Sequence, residues 1–140
     1  MGGRAISRMV DRACQERSWT KSGVPYVRIE HVTAPSADSI EKAAAHGISF
    51  VTQPIFLYAE SASYVKNLGE ERIKECYPVR HMLDKGDCLA FYTDAPATFW
   101  ANPSAPFPGL KLAVTRIAAD GTDCGTDQAI PIDTALCLYT

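Results

Sequence analysis

Three short β-rich runs, each followed by a helical pattern, constrain this chain more than any other feature. They are residues 26–32 (YVRIEHV), 48–56 (ISFVTQPIF) and 88–95 (CLAFYTDA). Each gathers β-branched or aromatic residues and places a polar residue toward its C-terminal end, as short strands of a buried sheet do. Between the first two, Asp38 and Glu41 have the spacing of a capping box. Ile40, Ala43 and Ala44 share one helical face, and Gly47 suits a left-handed stop. The next connection ends in LGEERIKECYPVRHMLDKG, where Pro78 fits a first helical position and Gly86 another stop. Further helices are predicted at 4–17, at 110–117 after the Pro-rich stretch 96–109, and in the terminal PIDTALCLYT.

Strands alternating with helices at this spacing mean parallel strands joined by right-handed crossovers, an α/β fold. A flavodoxin-like open sheet and part of a TIM (β/α)8 barrel both satisfy the pattern, and spacing does not separate them. A whole barrel takes about 250 residues. Three βα units in 140 residues amount to less than half of one.

Composition excludes more than it selects. With 46% apolar residues the chain can bury one core. A net charge of -2 gives no electrostatic case for nucleic acid or an anionic membrane. No apolar run approaches the roughly 20 residues that span a bilayer, and MGGRAISRMVDR does not read as a signal peptide. A cytoplasmic location is expected. The five cysteines, Cys14, Cys76, Cys88, Cys124 and Cys137, form no CxxC. Free buried thiols are expected, not a zinc knuckle or disulfide framework. Both ends fall within helical patterns, so the chain is expected to be a piece cut from a longer protein.

In parallel α/β architectures the chemistry collects at the C-terminal ends of strands. Those positions hold His31, Gln53 and Asp94. Imidazole and carboxylate are both zinc ligands, and an aspartate beside a metal-activated water can take its proton. Plainer roles compete: a histidine after a strand can be a structural hydrogen-bonder, and an aspartate before Ala-Pro can cap a turn. Catalytic zinc also usually has three protein ligands, where only two stand out. His46, His81 and the Glu70-Glu71-Arg72 cluster read as helix surface. Arg28 and Glu30 read as a structural pair on the side of the strand opposite His31. Trp100, in the loop after Asp94, is placed to wall a substrate pocket or simply to pack the loop.

The motifs RIEH (28–31), VTQP (51–54), LAFYTDAP (89–96), LAVTR (112–116) and LCLYT (136–140) occur in this order. Together they resemble the C-terminal half of amidohydrolase family 3, which includes the N-substituted formamide deformylases. YPVRHMLDKG (77–86) resembles the helix leading into the final barrel strand, and the resemblance covers nearly the whole chain. It implies a partial barrel over residues 1–140, supplying strands six to eight, with zinc or another divalent metal. The implied reaction is hydrolysis of carbon–nitrogen bonds other than peptide bonds, in amide-like or formamide-like small molecules, through a metal-activated water. By the same resemblance His31 is a metal ligand, and Asp94 is a metal ligand and general base. Thr93 replaces the usual serine, and Gln53 is a substrate or supporting contact.

The departures from the family pattern also matter. The HxH of the first strand and the carboxylated lysine of the fourth have no counterpart. The fifth-strand histidine would precede Met1, and the Gly-Asp-Arg-Ala that follows it reads GGRA (2–5), with Gly3 in the acidic position. The chain alone is therefore expected to be inactive. Its expected partners are the remainder of the barrel or further copies of itself, associating through unprotected sheet edges. The alternative is a non-catalytic α/β binding or regulatory module derived from such an enzyme.

Overall fold

The structure is a computed structural model that describes residues 2–16, 24–95 and 104–140. Strands β1 (Val27–Glu30), β2 (Ile48–Thr52) and β3 (Cys88–Phe91) form one parallel sheet in the order β1-β2-β3. Its register aligns Arg28 with Ser49 and Cys88, Ile29 with Phe50 and Leu89, and Glu30 with Val51 and Ala90. Every strand lies beside its sequence neighbour, so the sheet winds in one direction.

Helices α1 (Gly3–Cys14), α2 (Ala37–His46), α3 (Pro54–Leu68), α4 (Glu70–Lys74), α5 (Val79–Asp84), α6 (Phe107–Thr115) and α7 (Ile132–Cys137) fill the connections. Ile29, Ile48 and Phe50 share one cluster with Ile6 and Val10 of α1, Ile40 and Ala43 of α2, and Met82 of α5. Burial of each such side chain stabilises by about 1.5–3 kcal/mol. Phe91 meets Leu110 and Ala113 of α6, and Ala135 of α7, in a second cluster. These contacts all use one pleat set of the sheet. The other set, Arg28, Glu30, Ser49, Val51, Cys88, Ala90 and Tyr92, lines an open groove. Sequential strand order with helices on one face is a section of barrel wall. A doubly wound sheet carries helices on both faces.

The strands are shorter than their sequence patterns. At β2 the run QPIF already turns into α3, with Pro54 in the first helical turn, where its missing N–H costs nothing. Helix α2 is capped by Ser36, whose hydroxyl accepts from the Ser39 amide at 3.2 Å. Asp38 lies inside the first turn and pairs with Lys42 instead, so the expected capping box does not form. Gly47 (φ 66°) and Gly86 (φ 81°) take the left-handed stops that their sequence positions predict. Pro78 precedes α5 as its N-cap and not as its first residue.

Arg116 holds the C-terminal third of the chain onto the rest. Its guanidinium is fully buried and donates to the carbonyls of Cys76, Tyr77, Cys124 and Gly125. All five cysteines are free. Cys76 and Cys124 are buried as expected, but Cys88 and Cys137 are exposed. Among the described residues no helix is long and apolar enough to cross a membrane.

Candidate metal site at the strand ends

β1 ends where His31 leaves the extended conformation. Its amide still bonds the Val51 carbonyl at 2.9 Å, but its φ is 71°. Strict pleating would put His31 with Ile29, on the helix-covered side. The left-handed backbone redirects it. Nδ1 of His31 lies 2.9 Å from the Gln53 amide, and its ring centroid is 6.3 Å from that of Tyr92. The expectation that Glu30 and His31 occupy opposite sides is therefore corrected: both reach Tyr92.

Glu30 forms an ion pair with Arg28 at 2.5 Å, as expected for a structural pair. It also hydrogen-bonds the Tyr92 hydroxyl. Burial, and then the negative charges of Asp94 and Glu30, push the Tyr92 phenol well above its usual range. Asp94 has a left-handed backbone as well, with φ 59°. Two of the four described non-glycine residues with positive φ thus stand at strand ends, at the positions that the sequence marks for chemistry. Such backbone costs about 1–3 kcal/mol per residue and collects at functional sites.

The structure therefore brings His31, Gln53, Tyr92 and Asp94 to one end of the sheet. His31 is exposed, Asp94 half-buried, and Gln53 fully buried, with its Oε1 lacking a hydrogen-bond partner among the described residues. Trp100 lies outside the described residues. An imidazole nitrogen and a carboxylate oxygen suit a divalent cation such as zinc. Among the described residues no group of three or more His, Cys, Asp or Glu side chains converges as a metal cluster. Among the described residues, the two donors that the sequence marks at this sheet end are His31 and Asp94.

The profile of the amidohydrolase family matches residues 2–140. The chain belongs to the amidohydrolase family. YtcJ of Bacillus subtilis, named as an amidohydrolase, is 28% identical to this amidohydrolase chain over 116 residues, 81% of the chain and 21% of YtcJ. A solved metal-dependent hydrolase from Pyrococcus horikoshii superposes with a TM-score of 0.77 and 28% identity, covering 100% of this chain and 27% of that one. A second, from Pyrococcus furiosus, gives 0.73 and 25%, covering 26% of its own length. The amidohydrolase chain spans about a quarter of these solved structures and about a fifth of YtcJ.

The sequence reading missed Tyr92. A signal was available: it lies two residues before Asp94, on the same pleat set as Ala90 and Cys88. Of the other histidines, His46 is exposed and its Nδ1 bonds the Lys42 carbonyl at 2.9 Å. His81 departs from the helix-surface reading. It is half-buried, its Nε2 is buried without a partner among the described residues, and it lines a cleft with Ser36, Lys74 and Gln128.

Proposed function

We propose that this chain supplies part of the site of a metal-dependent hydrolase acting on carbon–nitrogen bonds other than peptide bonds, in small amide-like substrates. The observation that carries the proposal is the placement of His31 and Asp94. They stand at the C-terminal ends of β1 and β3, each with left-handed backbone, around Tyr92. His31 and Asp94 would hold the ion, zinc being the one their nitrogen and oxygen donors suit well. A bound divalent ion would polarise the scissile carbonyl and make water acidic enough to attack it. Asp94 would accept that water's proton and return it to the departing nitrogen. Tyr92, hydrogen-bonded to Glu30, would fix the floor between them.

The remaining ligands would come from the rest of a barrel. That partner would also cover the groove lined by Arg28, Glu30, Ser49, Cys88 and Tyr92. A second reading, a non-catalytic binding or regulatory module, is favoured by the two-donor count among the described residues. Zinc titration of the 140-residue chain by calorimetry, beside an amide-hydrolysis assay, separates the readings. The expected outcome is weak zinc binding, lost in His31→Ala and in Asp94→Ala, with no turnover until the rest of the parent protein is present. Absence of zinc binding both alone and in the longer protein would support the module instead.

A further inference from the structure

The Gln53 side chain is fully buried at the end of β2, and its amide nitrogen lies 2.9 Å from Nδ1 of His31. Its carbonyl oxygen is also buried and has no hydrogen-bond partner among the described residues. A carboxamide turned by 180° exchanges its oxygen and nitrogen without moving any other atom. With nitrogen toward the ring, Nδ1 must accept, which puts the ring proton on Nε2 and leaves that nitrogen no lone pair for a metal. With oxygen toward the ring, Nδ1–H donates and Nε2 keeps its lone pair, while the carboxamide NH2 takes the place that the carbonyl held.

We propose that Gln53 is a positioning residue that holds neutral His31 as the Nδ1–H tautomer, leaving Nε2 as the metal-binding nitrogen. The inference rests on the metal reading above for its purpose, but the hydrogen bond is a property of this chain alone. A buried acceptor on the far nitrogen of a ligand histidine fixes both ring orientation and tautomer. Gln53 is well suited to this because burial removes water as a competing partner. The left-handed backbone at His31 brings the ring to it.

The test is the two-bond 1H–15N correlation spectrum of the histidine rings in the 140-residue chain without metal, at about pH 8, where imidazole is neutral. Three histidines make assignment by substitution simple. The expected His31 pattern is a protonated Nδ1 with a pyridine-type Nε2. Gln53→Glu, which can only accept, should keep that pattern. Gln53→Met, similar in shape but unable to bond, should release the ring toward the Nε2–H form and weaken zinc binding about tenfold. An Nε2–H or averaged ring in the unsubstituted chain overturns the proposal, as does a Gln53→Met spectrum identical to it. A chain that keeps the Nδ1–H tautomer yet binds no zinc refutes the metal reading and leaves this one standing.

Discussion

The hydroxyl of Tyr139 occupies the space that a Cβ on Gly109 would need. The Tyr139 ring packs edge-on against Phe91 at 5.5 Å, while its hydroxyl is buried without a hydrogen-bond partner among the described residues. Exchanging Gly for Ala inside a helix normally gains about 1 kcal/mol. Here the added methyl overpacks a fixed ring, which costs about 1–3 kcal/mol. Gly109→Ala should therefore lower the urea midpoint of unfolding. Adding Tyr139→Phe should restore it or raise it above the parent. Strictly additive effects of the two changes would show that the pair does not interact.

Arg116 predicts a large effect from a change usually thought mild. Its planar guanidinium serves the carbonyls of Cys76, Tyr77, Cys124 and Gly125 at once. A lysine ammonium is a point donor that cannot span that fork. Arg116→Lys should destabilise by about 3 kcal/mol, since it strands buried carbonyls. For a chain of this length that lowers the thermal midpoint by on the order of 10 °C. A shift of only a degree or two would mean water replaces the guanidinium at no cost.

Asp87, just before β3, predicts a pH dependence. Both carboxylate oxygens are buried without a partner among the described residues, and burial pushes its carboxyl up to about 7 from 3.8. The folded chain then holds this proton more tightly than the unfolded chain does. Stability from this group is fully present below 3.8, declines as pH rises, and is gone once pH passes about 7. Asp87→Asn should remove that decline and make the chain more stable at alkaline pH. Urea unfolding at a series of pH values checks it; an unchanged slope in the variant would assign the decline to another group.

Asp94 predicts a trade between stability and binding. A φ of 59° is left-handed backbone, which glycine adopts without steric penalty. Asp94→Gly should leave stability unchanged or raise it by up to about 1 kcal/mol, while abolishing zinc binding. A clear loss of stability with zinc binding retained would make Asp94 a structural cap.

The sequence made the scaffold readable because its punctuation is local. Gly47 and Gly86 stop helices wherever the chain places them, and Pro54 can begin one but not continue a central strand. Family motifs then marked His31 and Asp94. The geometry that joins them was not readable. The alternation rule set Glu30 on the side opposite His31 because nothing in Glu30-His31-Val32 announces a left-handed turn. Arg116 was passed over because a fully buried arginine has the same one-dimensional look as a surface one. Ser36 displaced Asp38 as the cap because two residues of the same capping class, two positions apart, compete, and the chain path selects between them.

The sequential order β1-β2-β3 has a consequence for how the molecule comes into being. Each strand can pair as soon as it is made, with the strand made just before it, and the helix between them is already present to cover the joint. Closures of this local kind are entropically cheap and fast. The slower step is then the one of longest reach, when Leu138 delivers its carbonyl to the Phe91 amide and Arg116 finds carbonyls some forty positions back. Until Arg116 finds those carbonyls, the sheet is assembled but not yet fastened.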